Sequence, residues 1–301
     1  MNLEVNIGKC KFKNPVTVAS GTFGHAEKYY NLGEVKKLGA IVPKTVTLRA
    51  QEGNPPPRII ETPAGMLNAI GIENPGADGF IKNKLPAFAK IGVPLIISIL
   101  GHTTGEFREL VEKFNECKSI EALELNLSCP NLGKKSLVAQ DPHATEHLIK
   151  ELKKISKLPI IAKLSPNVTD ITTIAQAAEN GGADALSLIN TLTAMVIDVH
   201  KRTSALGNFT GGLSGPAIRP VAVHMVYQTV KKVKIPVIAM GGIAKANDAL
   251  EYLIAGASMV AVGTANFVNP KAPVEVLQGI EEYMKKHKMN NIKQLIGSLQ
   301  G

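Results

Sequence analysis

The chain has 301 residues, of which 45% are hydrophobic, and it carries a formal net charge of +9. This length suits two average domains or one large α/β barrel, and it is enough to bury a sizeable core. The lack of Trp and an aromatic content of 4% argue against an aromatic platform for nucleic acids. The positive charge fits anionic small ligands, an acidic partner or RNA, although a lysine-rich solvated surface explains it more simply.

Cysteine usage and the lengths of the apolar segments predict a reduced, cytoplasmic protein. Cys10, Cys117 and Cys129 are widely spaced and form no C-x-x-C pair, so we expect no metal and no iron–sulfur site in this chain. The residues after Met1 lack the charged and apolar regions of a signal peptide. The longest apolar run, Val93 to Leu100, is far shorter than the roughly 20 residues of a membrane helix. We therefore expect no contact with a membrane.

Short β-branched runs recur along the chain and predict buried strands. Residues Leu3 to Phe12 alternate loosely around Gly8 and predict a small N-terminal β-hairpin that caps one end of the domain. Four later runs each begin with Pro, which suits the first position of a strand. These runs are Pro15–Ser20, Pro94–Ser98, Pro159–Lys163 and Pro236–Met240.

Four more runs and the helical patterns between them complete the prediction of the fold. Three runs start at Gly-Ala, where Gly would end a preceding helix: Gly39–Val42, Gly182–Leu186 and Gly256–Val260. The fourth run, Ile120–Leu125, begins with neither Pro nor Gly-Ala. Helical periodicity predicts the segments Glu106–Cys117, Ala144–Ile155, Thr172–Asn180, Ala217–Val233 and Ala246–Ala255. Eight buried strands that alternate with helices predict an α/β protein, a (β/α)8 TIM barrel that forms a single domain over 1–301. The rival is an open doubly wound sheet, which is weakened because no G-x-G-x-x-G follows the first strand.

The expected carboxyl ends of the eight strands are all polar or Gly, and this is the end where such barrels build their active sites. The residues at these ends are Ser20, Lys44, Thr45, Ser98, Asn126, Lys163, Asn190, Thr191, Gly241, Gly242, Gly263 and Thr264. Two lysines that converge on one mouth predict an anion site. The backbone amides of the Gly-rich ends, together with those of Gly211–Gly215, predict phosphate binding. A phosphorylated cofactor with anionic character near Lys163 is the expected ligand.

The stretch Asn126–Asn131 combines a thiol and two carboxamides at the end of a predicted strand. Pro130 has no N–H and therefore ends the strand pairing. The two Asn side chains offer donors and acceptors to a planar polar ligand, and Cys129 offers a base or nucleophile. From this stretch alone, a buried structural cysteine remains an equal alternative.

The stretch Asn126–Asn131 closely resembles the catalytic motif of the dihydroorotate dehydrogenases, the flavin enzymes of pyrimidine synthesis. Further segments match the same family over essentially the whole chain: Ala19–Gly24, Pro43–Val46, Ala162–Asn167 and Gly241–Ile243. Gly53–Arg58 followed by Gly65–Ile72 resembles the NAD-linked, two-subunit class, and Cys129 is similar to the soluble classes. Ser98 departs from the family pattern, in which Asn is common at this strand end.

This resemblance implies oxidation of (S)-dihydroorotate to orotate in UMP biosynthesis, with Cys129 taking the C5 proton and FMN the C6 hydride. The implied FMN-binding residues are Ser20, Lys44, Thr45, Ser98, Asn126, Lys163, Ile189, Gly215, Gly241, Gly242, Gly263 and Thr264. The implied substrate-binding residues are Lys44, Asn68, Ala69, Ile70, Gly71, Ile72, Asn126, Asn131, Asn190 and Thr191. The electrons would pass to NAD through a partner subunit that carries FAD and a [2Fe–2S] cluster, around a homodimer core within a heterotetramer.

Other functions stay open at this point. One is a stand-alone dihydroorotate dehydrogenase that passes electrons to fumarate. A flavin-dependent reductase of uridine in RNA is another, although such enzymes resemble Asn-x-Gly-Cys-Pro and add a helical RNA domain. The pyrimidine domain of dihydropyrimidine dehydrogenase has a similar Cys motif within a much larger, cluster-rich chain. A non-catalytic barrel that serves as a binding subunit is the last alternative.

Overall fold

The computed structural model describes residues 1–24, 32–127 and 138–301, in which strands and helices alternate. The strands are β1 (Val5–Ile7), β2 (Cys10–Phe12), β3 (Val16–Val18), β4 (Val46–Thr47), β5 (Ile59–Thr62), β6 (Gly65–Asn68), β7 (Ile96–Leu100), β8 (Ala122–Asn126), β9 (Ile160–Lys163), β10 (Ala185–Leu188), β11 (Leu192–Ala194), β12 (Ile197–Asp198), β13 (Thr203–Ser204), β14 (Gly211–Ser214), β15 (Val237–Met240) and β16 (Met259–Val262). The helices are α1 (Leu32–Val35), α2 (Gly76–Asn83), α3 (Leu85–Ile91), α4 (Thr104–Asn115), α5 (Pro142–Lys153), α6 (Ile171–Asn180), α7 (Arg219–Val230), α8 (Ala246–Ala255), α9 (Ala265–Val268) and α10 (Ala272–Lys286). Short 3-10 helices lie at Val138–Gln140, Pro216–Ile218 and Ile292–Gln294.

Eight parallel strands form the central sheet in the order β3-β16-β15-β10-β9-β8-β7-β4. Residues 39–41 join its two edges. The Gly39 amide donates to the carbonyl of Val16 at 2.9 Å, and the Ile41 amide donates to the carbonyl of Pro94 at 2.9 Å. Backbone hydrogen bonds therefore run around a closed sheet, which confirms the predicted (β/α)8 barrel and excludes the open doubly wound sheet.

The prediction of a strand over Gly39–Val42 is wrong. Within that run only Ile41 pairs, in an isolated bridge with Leu95, and the strand lies further on, at β4. Pro43 separates the two because it has no N–H to donate to the ladder. The other seven predicted strands are present, with ends displaced by at most three residues.

The prolines that introduce the strands lie just before them and contribute only their carbonyls to the sheet. The carbonyl of Pro159 accepts from the amide of Leu123 at 2.9 Å, and that of Pro236 accepts from Leu186 at 3.0 Å. The missing N–H thus falls outside the ladder, where it costs no hydrogen bond.

Helices α4 to α8 correspond to the predicted helical segments, and α8 has the predicted bounds. Helix α4 shows why such segments fold: Thr103 caps it by accepting a hydrogen bond from the Glu106 amide, and Phe107 and Phe114 are buried on one face. Helices α2, α3 and α10 were not predicted. None of the described helices combines the length and apolar character needed to cross a bilayer.

The predicted N-terminal hairpin is confirmed as β1 and β2, which pair antiparallel with Ile7 opposite Cys10. Gly8 makes the turn at a φ of 58°, a conformation that suits glycine, and it lies against Asp184 just before β10. The Cys10 thiol donates to the carbonyl of Glu121, just before β8, at 3.1 Å. The hairpin therefore closes the amino end of the barrel.

A four-stranded antiparallel sheet in the order β11-β14-β6-β5 stands at the opposite end. Asn68 of β6 and Ser214 of β14 line the same cavity as the carboxyl ends of the barrel strands. This sheet was not predicted, because β14 and the start of β6 carry Gly in place of the β-branched residues that mark strands.

Candidate active site

A cavity of about 930 Å³ opens at the carboxyl ends of the barrel strands. Its size and position suit a ligand as large as a nucleotide-like cofactor with a small substrate beside it. The predicted site residues that line it are Ser20, Lys44, Thr45, Asn68, Ile70, Gly71, Ile72, Asn126, Lys163, Ile189, Asn190, Thr191, Gly215, Gly241, Gly242, Gly263 and Thr264. Residues far apart in sequence thus converge on one cavity. The strand-end pattern predicted part of this set, and the family resemblance implied the rest.

Two described members of the predicted set do not line the cavity. Ser98 is fully buried, and its Oγ lies 3.0 Å from Oγ1 of Thr45, which lies 2.8 Å from Oγ of Ser20. It therefore reaches the cavity only through the hydroxyl of Thr45, which lines the cavity. Ala69 packs away from the cavity in a small apolar cluster with Leu67. The catalytic candidate Cys129 and the candidate Asn131 lie outside the described residues.

Lys163 shares the barrel interior with a carboxylate that sequence reasoning missed. Its Nζ lies 3.5 Å from Oε1 of Glu124, and both side chains are buried. Oε2 of Glu124 accepts a hydrogen bond from Ser187 at 2.8 Å, whereas Oε1 has no hydrogen-bond partner among the described residues. The available signal was an acidic residue inside the otherwise apolar strand β8.

Lys44 supplies a second cation at the mouth. Burial lowers the pKa of its ammonium group, the charge of Lys163 lowers it further, and Glu73 partly opposes both. Glu73 lies at the exposed rim of the cavity. Two cations that face one partly desolvated space stabilise a bound anion strongly, because water screens the attraction poorly there.

Carboxamides form a hydrogen-bonded edge along the mouth. Nδ2 of Asn190 lies 3.4 Å from Oδ1 of Asn126, and Oδ1 of Asn190 accepts from the Thr191 amide at 2.8 Å. Asn167, another missed residue, holds this loop from behind. Its Nδ2 donates to the carbonyl of Thr191 at 3.1 Å, and its Oδ1 accepts from the Thr193 amide at 2.8 Å.

The loop after β6 closes the cavity from the side of the second sheet. Nδ2 of Asn68 donates to the carbonyl of Gly212 at 3.2 Å, and Nδ2 of Asn54 donates to the carbonyl of Ala69 at 3.1 Å. Gly71 has a φ of 75°, and a Cβ there would lie 2.6 Å from the Asn54 backbone nitrogen. Only glycine fits this close approach, which places the loop against the cavity.

Backbone amides dominate the wall formed by the turns after β15 and β16. A Cβ on Gly242 would lie 2.8 Å from Cβ of Arg219 and from the carbonyl oxygen of Gly215, so a side chain is excluded. No described residue accepts a hydrogen bond from the Gly242 or Thr264 amide. Arg219 itself pairs with the carboxylate of Asp248. These open amides suit the oxygens of a phosphate group.

Within the ranges 1–24, 32–127 and 138–301, no group of three or more His, Cys, Asp or Glu residues is placed to hold a metal ion.

Comparison with known proteins agrees with the geometry of the cavity. The profile of the dihydroorotate dehydrogenase family matches residues 2–284. The chain is 52% identical over 299 residues to the catalytic subunit of dihydroorotate dehydrogenase B (NAD(+)) from Lachnoclostridium phytofermentans, covering 99% of both chains. It is 48% and 49% identical to the proteins of the same name from Geotalea daltonii and Desulforamulus reducens, covering 99% of this chain and 98% of each relative. The name "catalytic subunit" implies a further subunit in those relatives. The chain belongs to the dihydroorotate dehydrogenase family.

Proposed function

We propose that this chain is the catalytic subunit of an NAD-linked dihydroorotate dehydrogenase and that it works as a single barrel domain. It oxidises (S)-dihydroorotate to orotate in pyrimidine biosynthesis. The observation that carries the proposal is the cavity of a barrel of this family, which gathers two lysines, several carboxamides and a wall of glycine amides. A planar, anionic pyrimidine and a phosphorylated cofactor match these three groups of ligands.

The family is flavin-dependent, and the residues present fit FMN. The excluded side chain at Gly242 and the open amides of the same wall suit its phosphate. Ser20, Thr45 and Ile189 would line the flavin, with Lys163 beside its ring. When bound, FMN supplies the two-electron acceptor that oxidation of a carbon–carbon bond requires. The cation of Lys163 favours negative charge in its neighbourhood.

The substrate would lie against the wall of the cavity opposite the glycine amides. Lys44 pairs with the carboxylate of dihydroorotate, and Asn68, Asn126 and Asn190 match the amide edges of its ring. Cys129 would take the proton from C5 while C6 gives up its hydrogen together with the C6–H electron pair, as a hydride, to the two-electron acceptor that FMN would supply when bound. This step needs the thiolate, and an unperturbed Cys has a pKa of about 8.5. The rate of oxidation should therefore rise with pH through the titration of this thiol.

The electrons leave through a partner subunit that carries FAD and a [2Fe–2S] cluster, bound to a homodimer of this chain. The chain has no G-x-G-x-x-G fingerprint for NAD, and its three cysteines cannot supply the four thiolates of such a cluster. A carrier between this cavity and NAD must therefore lie on another chain.

The test is an anaerobic absorbance experiment with the purified chain alone. Dihydroorotate should bleach the yellow flavin, and neither NAD nor fumarate should then restore the colour quickly. Co-expression with the partner subunit should restore reduction of NAD. A flavin that dihydroorotate does not bleach would contradict the proposed reaction. Rapid reoxidation by fumarate would leave the reaction intact but replace the NAD-linked class by the stand-alone class.

A further inference from the structure

Tyr252 on helix α8 has a fully buried phenol. It contacts the glycine turn after β15 on the side that faces away from the cavity. Its hydroxyl donates a hydrogen bond of 2.6 Å to the carbonyl of Gly241, the first residue after β15. Burial raises the pKa of this phenol far above its usual range, so the group remains a donor at every physiological pH. Gly241 itself leaves no room for a Cβ, which would lie 2.6 Å from Cβ of Ala222.

The bond to Tyr252 fixes the direction of the next amide. The peptide between Gly241 and Gly242 is trans, because the cis bonds of the described residues lie elsewhere. In a trans peptide the C=O and the following N–H point in opposite directions. Since the Gly241 carbonyl points toward buried Tyr252, the Gly242 amide points away from it, toward the cavity that both glycines line.

Helix α8 also holds the other end of the turn after β15, at residues 244 and 245. Oδ2 of Asp248 accepts from the amides of Ala244 and Lys245 at 2.9 and 2.8 Å. Tyr252 and Asp248 lie one turn apart on α8, so the turn is anchored at both of its ends. Between the two anchors, Gly242 has no acceptor among the described residues.

We propose that Tyr252 is a positioning residue for phosphate recognition, which holds the Gly241–Gly242 peptide with its N–H directed at the phosphate of the cofactor. The inference rests on the proposed function, because it assumes that this wall binds the phosphate. Without the phenol, the buried Gly241 carbonyl loses its donor and can turn toward water in the cavity. That rotation would remove one amide from the anion and bring a carbonyl oxygen near it.

The experiment compares FMN with riboflavin, which lacks the phosphate, on the full-length protein after removal of its flavin. Quenching of flavin fluorescence gives the Kd of each ligand for wild type and Tyr252→Phe. We expect the Kd of FMN to rise about fivefold to tenfold, the effect of one lost hydrogen bond. The Kd of riboflavin should stay within about twofold of its wild-type value. Tyr227→Phe on helix α7, which deletes a hydroxyl that contacts Lys231, is the matched control and should change neither Kd.

The outcomes separate this inference from the function on which it rests. If wild type binds FMN and riboflavin equally well, the phosphate site of the proposed function is wrong. If wild type prefers FMN and Tyr252→Phe keeps the same preference, only the role of Tyr252 is wrong. General destabilisation of the variant weakens both ligands equally and leaves the ratio of the two Kd values unchanged. An unchanged ratio therefore overturns the inference whatever the stability of the variant.

Discussion

The two ends of the barrel are built from the same strands, yet their polar groups are satisfied in different ways. At the amino end, the carboxylate of Asp184 accepts from Lys153 at 2.6 Å and from the Ile160 amide at 2.7 Å. At the mouth, burial lowers the pKa of Lys44, and Oε1 of Glu124 lacks a hydrogen bond within the described part of the chain. Asp184 thus has its charge and hydrogen bonds satisfied at the closed end, whereas Lys44 and Glu124 leave binding capacity toward the open end.

We therefore expect the closed end to contribute mainly to stability and the open end mainly to binding and reaction. Substitutions at the closed end should lower the free energy of unfolding and leave the reaction unchanged in molecules that fold. Substitutions at the mouth should change the reaction rate, the affinity for ligands or the midpoint potential of the flavin. They should lower the free energy of unfolding only where a buried charge loses its partner.

The largest effect is expected for Cys129→Ala. Loss of a positioned general base should slow flavin reduction by dihydroorotate by about 10²-fold or more, while FMN and orotate still bind. Single-turnover stopped-flow measurements of flavin absorbance give this rate. Normal reduction by the variant would remove Cys129 from the role of base.

Phe12→Ala should give the largest effect at the closed end. Phe12 is fully buried in β2, and deletion of such a ring costs about 3–5 kcal/mol of unfolding free energy. Urea denaturation measures this loss, and the KM for dihydroorotate should be unchanged in the folded variant. Lys11→Ala, on the exposed face of the same strand, is the control and should stay within about 0.5 kcal/mol. A changed KM for dihydroorotate in Phe12→Ala would contradict the expectation that the closed end affects stability and not the reaction.

The position of the mouth could be predicted from sequence more reliably than the residues inside the barrel. The polar or Gly residue after each apolar run marked the mouth, because parallel strands bring their carboxyl ends together. Glu124 was missed because it faces the barrel interior, where an apolar residue is the usual occupant. Ser98 was placed at the cavity because the predicted run ended there, whereas β7 continues to Leu100 and leaves Ser98 in its middle, beside Thr45. The sheet beyond the mouth was missed because its pairing joins segments more than 140 residues apart, β6 and β14.

Glu124→Gln tests the buried ion pair between Lys163 and Glu124. Lys163 would lose its compensating charge, and the unfolding free energy should fall by about 3 kcal/mol. The same change leaves more positive charge near the flavin, so the midpoint potential of bound FMN should rise. Spectroelectrochemical titration measures the potential, and Lys163→Ala should move it in the opposite direction. Equal potentials in wild type and both variants would mean that this pair does not act on the flavin.

A smaller effect should appear in the pH dependence of orotate binding. Because the pKa of Lys44 is lowered, its positive charge is lost below the usual lysine range as the pH rises. Affinity for orotate should therefore weaken with rising pH, by about tenfold for the loss of one charge-assisted hydrogen bond. Titrations with wild type and Lys44→Gln measure it, and the variant should bind weakly at all pH values. Lys90→Gln, at an exposed position of α3, should retain the wild-type profile, and a flat wild-type profile would exclude Lys44 as the carboxylate ligand.

The effect with the least consequence for the reaction is expected at the closed end, in the reactivity of Cys10. Burial raises its pKa to about 11, with further contributions from the charges of Glu121 and Asp184. At pH 8 only about one Cys10 side chain in a thousand is then a thiolate, so alkylation should be over a hundredfold slower than for a free thiol. In native protein treated with iodoacetamide, mass spectrometry should therefore find Cys129 labelled first, with loss of activity in proportion. In urea, Cys10 should react at the rate of an ordinary thiol. Labelling of native Cys10 as fast as Cys129 would show that the closed end is open to solvent, against the contrast drawn between the two ends.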